Sequence, residues 1–125
     1  MKSSLYLVVL LFITQNMAFA HDNSGNYAVW GKGKKSCFGF QQDMAKDNIQ
    51  NYKDYMKGFL TAYNVFTEKT FNISGNMNET QIIEWLDAYC ADNPMASFES
   101  ALTNFTFEHY DERSKSARST GGSGW

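Results

Sequence analysis

The sequence predicts an all-α fold: a small bundle of three to four helices with one disulfide. Three observations predict it. Apolar residues recur at helical spacing in separate stretches, and no stretch shows convincing period-two alternation of the kind a half-buried strand requires. The 125 residues also carry two cysteines, enough for one domain and one bridge.

The first twenty residues, MKSSLYLVVLLFITQNMAFA, are not expected to belong to the fold. Lys2 precedes the apolar run Leu5 to Ile13, and Ala18-Phe19-Ala20 supplies a small-x-small cleavage pattern. The run is too short to cross a bilayer, which needs about 20 residues. Residues 1–20 therefore read as a cleaved signal peptide, placing the mature chain in the periplasm or outside the cell. No later segment is long enough to insert in a membrane.

Residues 21–36, HDNSGNYAVWGKGKKS, read as an N-terminal arm on which Tyr27, Val29 and Trp30 can lie against the domain. Residues 37–110 read as the helical domain. Ser36 is placed to cap a short helix over Cys37–Met44. The next helix has the clearest periodicity: Tyr52, Tyr55, Met56, Phe59, Leu60, Tyr63 and Phe66 share one face. Gly58 interrupts that helix at a cost of about 1 kcal/mol relative to Ala and suggests a close approach by a neighbouring group. Residues 72–78, NISGNMN, read as a loop.

Asn78 with Gln81 three residues on forms a capping-box pattern. It opens a helix whose face holds Ile82, Ile83, Trp85, Leu86, Tyr89 and Cys90. Asn93-Pro94 ends it, with Asn93 expected to cap the last helix and Pro94 to take its first position. There Met95, Phe98, Leu102 and Phe105 recur at helical spacing. Residues 111–125 are polar and glycine-rich and read as a disordered tail in which Trp125 stands out.

In an oxidising compartment Cys37 and Cys90 are expected to pair. The bridge closes a loop of about 54 residues and is worth about 4 kcal/mol on the chain-entropy model. The whole chain carries 11 Lys/Arg against 13 Asp/Glu, with a formal charge of −2. No basic stripe suggests a nucleic-acid partner.

Catalytic chemistry is not expected. No serine has a recognisable elbow or a sequence-adjacent histidine, and Gly31-Lys32-Gly33-Lys34-Lys35-Ser36 has the wrong glycine spacing for a phosphate loop. Glu84, Asp87 and Asp92 read as a solvated helix face. His21 and His109 are too few ligands to define a copper site, so no metal and no cofactor are expected. Aromatic residues make up 16% of the chain. Tyr52, Tyr55, Phe59, Tyr63, Trp85, Tyr89 and Phe98 form the candidate apolar binding face, with core packing as the simpler role.

The segments SCFGF, YMKGFLTAYNVF and WLDAYCADNPMASFESAL, spanning about Cys37 to Phe105, resemble the HdeA/HdeB-type periplasmic acid-stress chaperones. The Rap/Tai-type immunity proteins share a related plan. The resemblance implies a disulfide-linked helical domain without catalytic residues. It further implies protein partners, either many unfolding clients in acid or one cognate cell-wall-degrading toxin; a homodimer is also open. Acid suits the first of these, because protonating the carboxylates swings the charge of the mature chain by roughly sixteen units.

Overall fold

The computed structural model describes residues 21–117. Among them are four α-helices and no named strand: α1 Cys37–Ala45, α2 Gln50–Phe66, α3 Glu79–Asp92 and α4 Phe98–His109. Single 3₁₀ turns precede α1 at Gly31–Lys34 and follow α4 at Tyr110–Glu112. The segment read as a signal peptide and the end of the tail, including Trp125, lie outside the described residues. No helix among the described residues is long and apolar enough to cross a membrane.

Three of the helix starts have a local chemical cause. The Ser36 hydroxyl accepts from the Gly39 N–H at 3.0 Å and opens α1. Asn78 and Gln81 form the full capping box of α3, each side chain accepting from the other's backbone N–H at 2.9 Å. The Ser97 hydroxyl accepts from Ser100 N–H at 3.0 Å and opens α4.

The start of α4 differs from the sequence expectation. Asn93 does not cap it and Pro94 is not its first residue. Asn93 instead closes α3, its side-chain amide donating to the Tyr89 carbonyl at 2.9 Å. The chain from Pro94 to Phe98 is held out of a helix by pairing with the stretch before α1. Cys37 N–H donates to Ala96 O at 2.8 Å, Phe38 N–H to Pro94 O at 3.0 Å and Phe98 N–H to Lys35 O at 2.8 Å. Ser36 and Ser97 form the resulting antiparallel bridge. Met95, expected on the inner face, is 89% exposed in this segment.

The core gathers Tyr52, Met56 and Leu60 of α2, Ile82, Ile83, Leu86 and Cys90 of α3, and Phe98, Leu102 and Phe105 of α4. These positions fall at three- and four-residue spacings, as the helical period requires. α3 packs on α1 and α4, while α2 lies against the 3₁₀ turn of the arm. Cys37 and Cys90 are joined by a disulfide, with their Cα atoms 4.8 Å apart, and both are fully buried.

The tail begins with more structure than its composition suggests. Ser114 pairs with Asn72: Asn72 N–H donates to Ser114 O at 3.1 Å and Ser114 N–H to Asn72 O at 2.9 Å. Arg113 donates to the Thr70 hydroxyl at 2.9 Å. Residues 111–114 thereby close the loop that follows α2, through main-chain groups that any side chain permits.

The two glycines of interest behave oppositely. An added Cβ at Gly58 would meet nothing within 4 Å, so no neighbour approaches there. One at Gly33 would overlap the Tyr55 hydroxyl and come within 2.9 Å of Val29. Gly58→Ala should therefore raise the unfolding free energy by about 1 kcal/mol. Gly33→Ala should lower it by about 1–3 kcal/mol. Urea titrations in which the two variants shift in the same direction would contradict this assignment.

Candidate functional site

The seven aromatic residues of the predicted binding face differ in burial, and six of them fall into two spatial groups. Tyr52 and Phe98 have 0% exposure. Tyr55, Phe59, Tyr63, Trp85 and Tyr89 are partly buried and pack against the core. In the folded state the set is thus core and core margin rather than an open surface.

The first group lies where α1, α2 and α4 meet the arm. Phe40, which was not among the seven, completes it. Its ring centroid is 5.2 Å from Tyr52 and 4.9 Å from Phe98, and Tyr52 and Phe98 meet edge to face at 5.1 Å. Tyr55 stands 6.2 Å from Phe98 and 6.5 Å from Phe59.

The arm covers this group. Gly33 is buried against Tyr55, and Lys32 places its ammonium 4.7 Å from the centre of the Tyr52 ring. The Tyr27 hydroxyl donates to Glu99 of α4, at 3.2 Å to Oε2 and 3.4 Å to Oε1. Of the three residues expected to lie on the domain, Tyr27 anchors through its hydroxyl and Val29 is half-buried, while Trp30 projects outward at 77% exposure.

The second group joins α3 to α4. Trp85 stacks on Tyr89 at 5.5 Å and meets Phe105 edge to face at 5.2 Å. His109 stacks on Phe105 at 4.3 Å and meets Trp85 edge to face at 5.6 Å. His109 Nδ1 lies 3.0 Å from the Phe105 carbonyl. The histidine is thus committed to an aromatic stack. Among the described residues, no group of three or more His, Cys, Asp or Glu is placed to hold a metal ion.

The phenols of the first group are held in their protonated form. Burial pushes the Tyr52 hydroxyl up strongly, and its 2.7 Å bond to Asp43 adds to the shift. Burial likewise raises Tyr55, with the nearby charge of Glu99 second. Tyr27 is raised chiefly by the charge of Glu99. Tyr27 and Tyr52 act as hydrogen-bond donors to carboxylates rather than as bases or nucleophiles.

Glu99 is the residue that sequence reasoning missed. It is 7% exposed, and the Thr103 hydroxyl donates to it at 2.6 Å in addition to Tyr27. Its position on the inward side of α4, one residue after Phe98, was the available signal. The hydroxyl that reaches it lies 72 residues away in sequence, beyond the reach of any local pattern.

A cleft of about 480 Å³ lies beside α2, lined by Met56, Leu60, Thr61, Asn64 and Asn72 and edged by Lys57 and Glu79. Glu79 accepts from Lys57 at 2.7 Å and from Lys53 at 3.1 Å, tying the start of α3 to α2. Those two bonds hold the Glu79 carboxyl below its ordinary value, Lys57 being the larger cause. Comparisons with family models, curated proteins and solved structures find no match to the chain.

A carboxyl lowered by folding contributes stability above its unfolded value, and that stability is lost as the pH falls through its folded value. Glu79→Gln should lower the urea midpoint at pH 7 and leave it almost unchanged at about pH 2, where the wild-type side chain is already protonated. Equal losses at both pH values would show that the ion pair has no part in acid sensitivity.

Proposed function

We propose that the protein is an exported, non-catalytic protein-binding protein of the acid-stress chaperone kind, which holds unfolding clients at low pH. One observation carries this reading. Four of the contacts that join separate elements end on a carboxylate: Glu99 to the arm, Asp43 to α2, Asp87 to α1 and Glu79 to α2. Strong acid protonates carboxylates, and a hydrogen bond to a neutral carboxyl is about half as strong as one to a carboxylate. The contacts that join these elements thus weaken together, while the rising positive charge favours expansion. The Cys37–Cys90 bond does not titrate and limits how far the chain can open. The resemblance to the HdeA/HdeB-type proteins supports the same reading.

A second reading is an immunity or inhibitor protein with one cognate toxin. It is favoured by apolar surface already open in the folded state. Phe66 is 86% exposed and Phe107 71%. Arg113 stacks on the Tyr110 ring at 3.7 Å and bonds Thr70, next to the exposed Phe71. This reading predicts one stoichiometric partner at neutral pH.

The mature protein should suppress aggregation of an acid-sensitive enzyme at about pH 2–3 and not at pH 7. A Cys37→Ser/Cys90→Ser variant should suppress it less at equal concentration. Light scattering that shows no suppression in acid with the disulfide intact would eliminate the chaperone reading.

A further inference from the structure

We propose that the cleft beside α2 is a binding site for a medium-chain aliphatic carboxylate, with the head at Lys57 and the chain along Met56 and Leu60. The proposal goes beyond the chaperone reading and does not rest on it.

The shape of the site comes from the helix. Met56, Leu60 and Asn64 of α2 follow one another at four-residue spacing, and Lys57 and Thr61 form the row beside them. Asn72 of the loop after α2 and Glu79 of α3 complete the lining. A cleft of about 480 Å³ falls in the size range of small-molecule sites. From Lys57 to Asn64 the helix advances roughly 10 Å, which suits a medium-length chain rather than a long one. The main chain of α2 is bonded within the helix, so this wall offers a peptide backbone no partners, and an alkyl chain needs none.

Charge selects the head group. Glu79 accepts from Lys57 at 2.7 Å and from Lys53 at 3.1 Å, so two ammonium groups at the edge share one carboxylate. Asp54 acts on Lys57 through space, but its carboxylate accepts from the Gln50 amide at 3.0 Å and it does not line the cleft. A ligand carboxylate beside Lys57 therefore completes a set of two ammonium groups and two carboxylates.

The remaining hydrogen-bonding capacity has the same sense. The Thr61 hydroxyl donates to the Lys57 carbonyl at 2.7 Å. The Asn64 side-chain oxygen accepts from Ile73 N–H at 2.8 Å, and that of Asn72 accepts from both the N–H and the hydroxyl of Ser74. The Asn72 amide donates once, to Gly75 O. What is left over is chiefly N–H, on the Lys57 ammonium and on the amides of Asn64 and Asn72. Such a lining calls for an acceptor-bearing anion and disfavours a cation on the same apolar chain.

The test is a titration of the full mature chain at pH 7 with sodium decanoate, below its micelle concentration, followed by ¹H–¹⁵N NMR. Decanoate should shift residues 56–64 and the side-chain amides of Asn64 and Asn72, and decyltrimethylammonium at the same concentration should not. Lys57→Gln should weaken decanoate binding about fivefold, as the loss of a partly exposed ion pair does, and Lys57→Arg should restore it. Thr61→Phe, at an exposed position, should fill the cleft and abolish the shifts, which keeps the proposal open to refutation if Lys57→Gln fails to fold. An equal response to both amphiphiles, shifts centred on the exposed rings of Phe66 and Phe107, or undiminished decanoate binding in folded Lys57→Gln or Thr61→Phe would overturn the inference. Aggregation assays in acid test the chaperone reading separately, so either can fail while the other stands.

Discussion

The Cys37–Cys90 bond is the constraint on which the rest of the structure depends. It joins the first residue of α1 to the last turn of α3, and both sulfurs lie in the core. Helix α1 has only nine residues, too few to persist in water without tertiary support. The bond supplies that support at the end where Ser36 caps the helix. It also places the segment before α1 beside the segment before α4, where backbone pairing of Lys35 to Phe38 with Pro94 to Phe98 completes the junction. One covalent tie therefore sets the positions of three helices and of the point where the arm leaves the domain.

Around that junction the helices pack through apolar faces, and the contacts at the margins are largely polar. Carboxylates recur at the polar margins: Asp43, Glu79, Asp87 and Glu99 each bridge two elements. The aliphatic core and the disulfide carry no titrating group, and the margins carry carboxylates. Such a division lets a small chain keep its topology while its outer contacts weaken, in contrast to an all-or-none collapse of the core. α2 shows the division most clearly, with Tyr52, Met56 and Leu60 inward and Lys53 and Lys57 bonded to Glu79 at its edge.

The aromatic residues acquire meaning from this arrangement. Seven of them share helical faces in the sequence, and packing buries two outright and half-covers the rest. The exposed apolar side chains are different residues, Trp30, Phe66, Met95 and Phe107 among them, set on the arm, the end of α2, the turn before α4 and the outer side of α4. Periodicity marks which residues face inward along a helix. It does not mark where a helix outruns the core, as α2 does at Phe66, or where a turn carries a residue off the expected face, as at Met95.

The sequence by itself determined α2 and α3, the inner faces of both, the capping box at Asn78 and Gln81, and the pairing of the two cysteines. Each depends on residues a turn or two apart, or on there being only two sulfurs to pair. Only the tertiary structure decided the start of α4, the binding of residues 111–114 to the loop after α2, the cover over Tyr52 and Tyr55, and the bond from Tyr27 to Glu99. In each of these the partners are far apart in the chain, and several are backbone groups common to every residue type. Side-chain composition therefore carries no record of them.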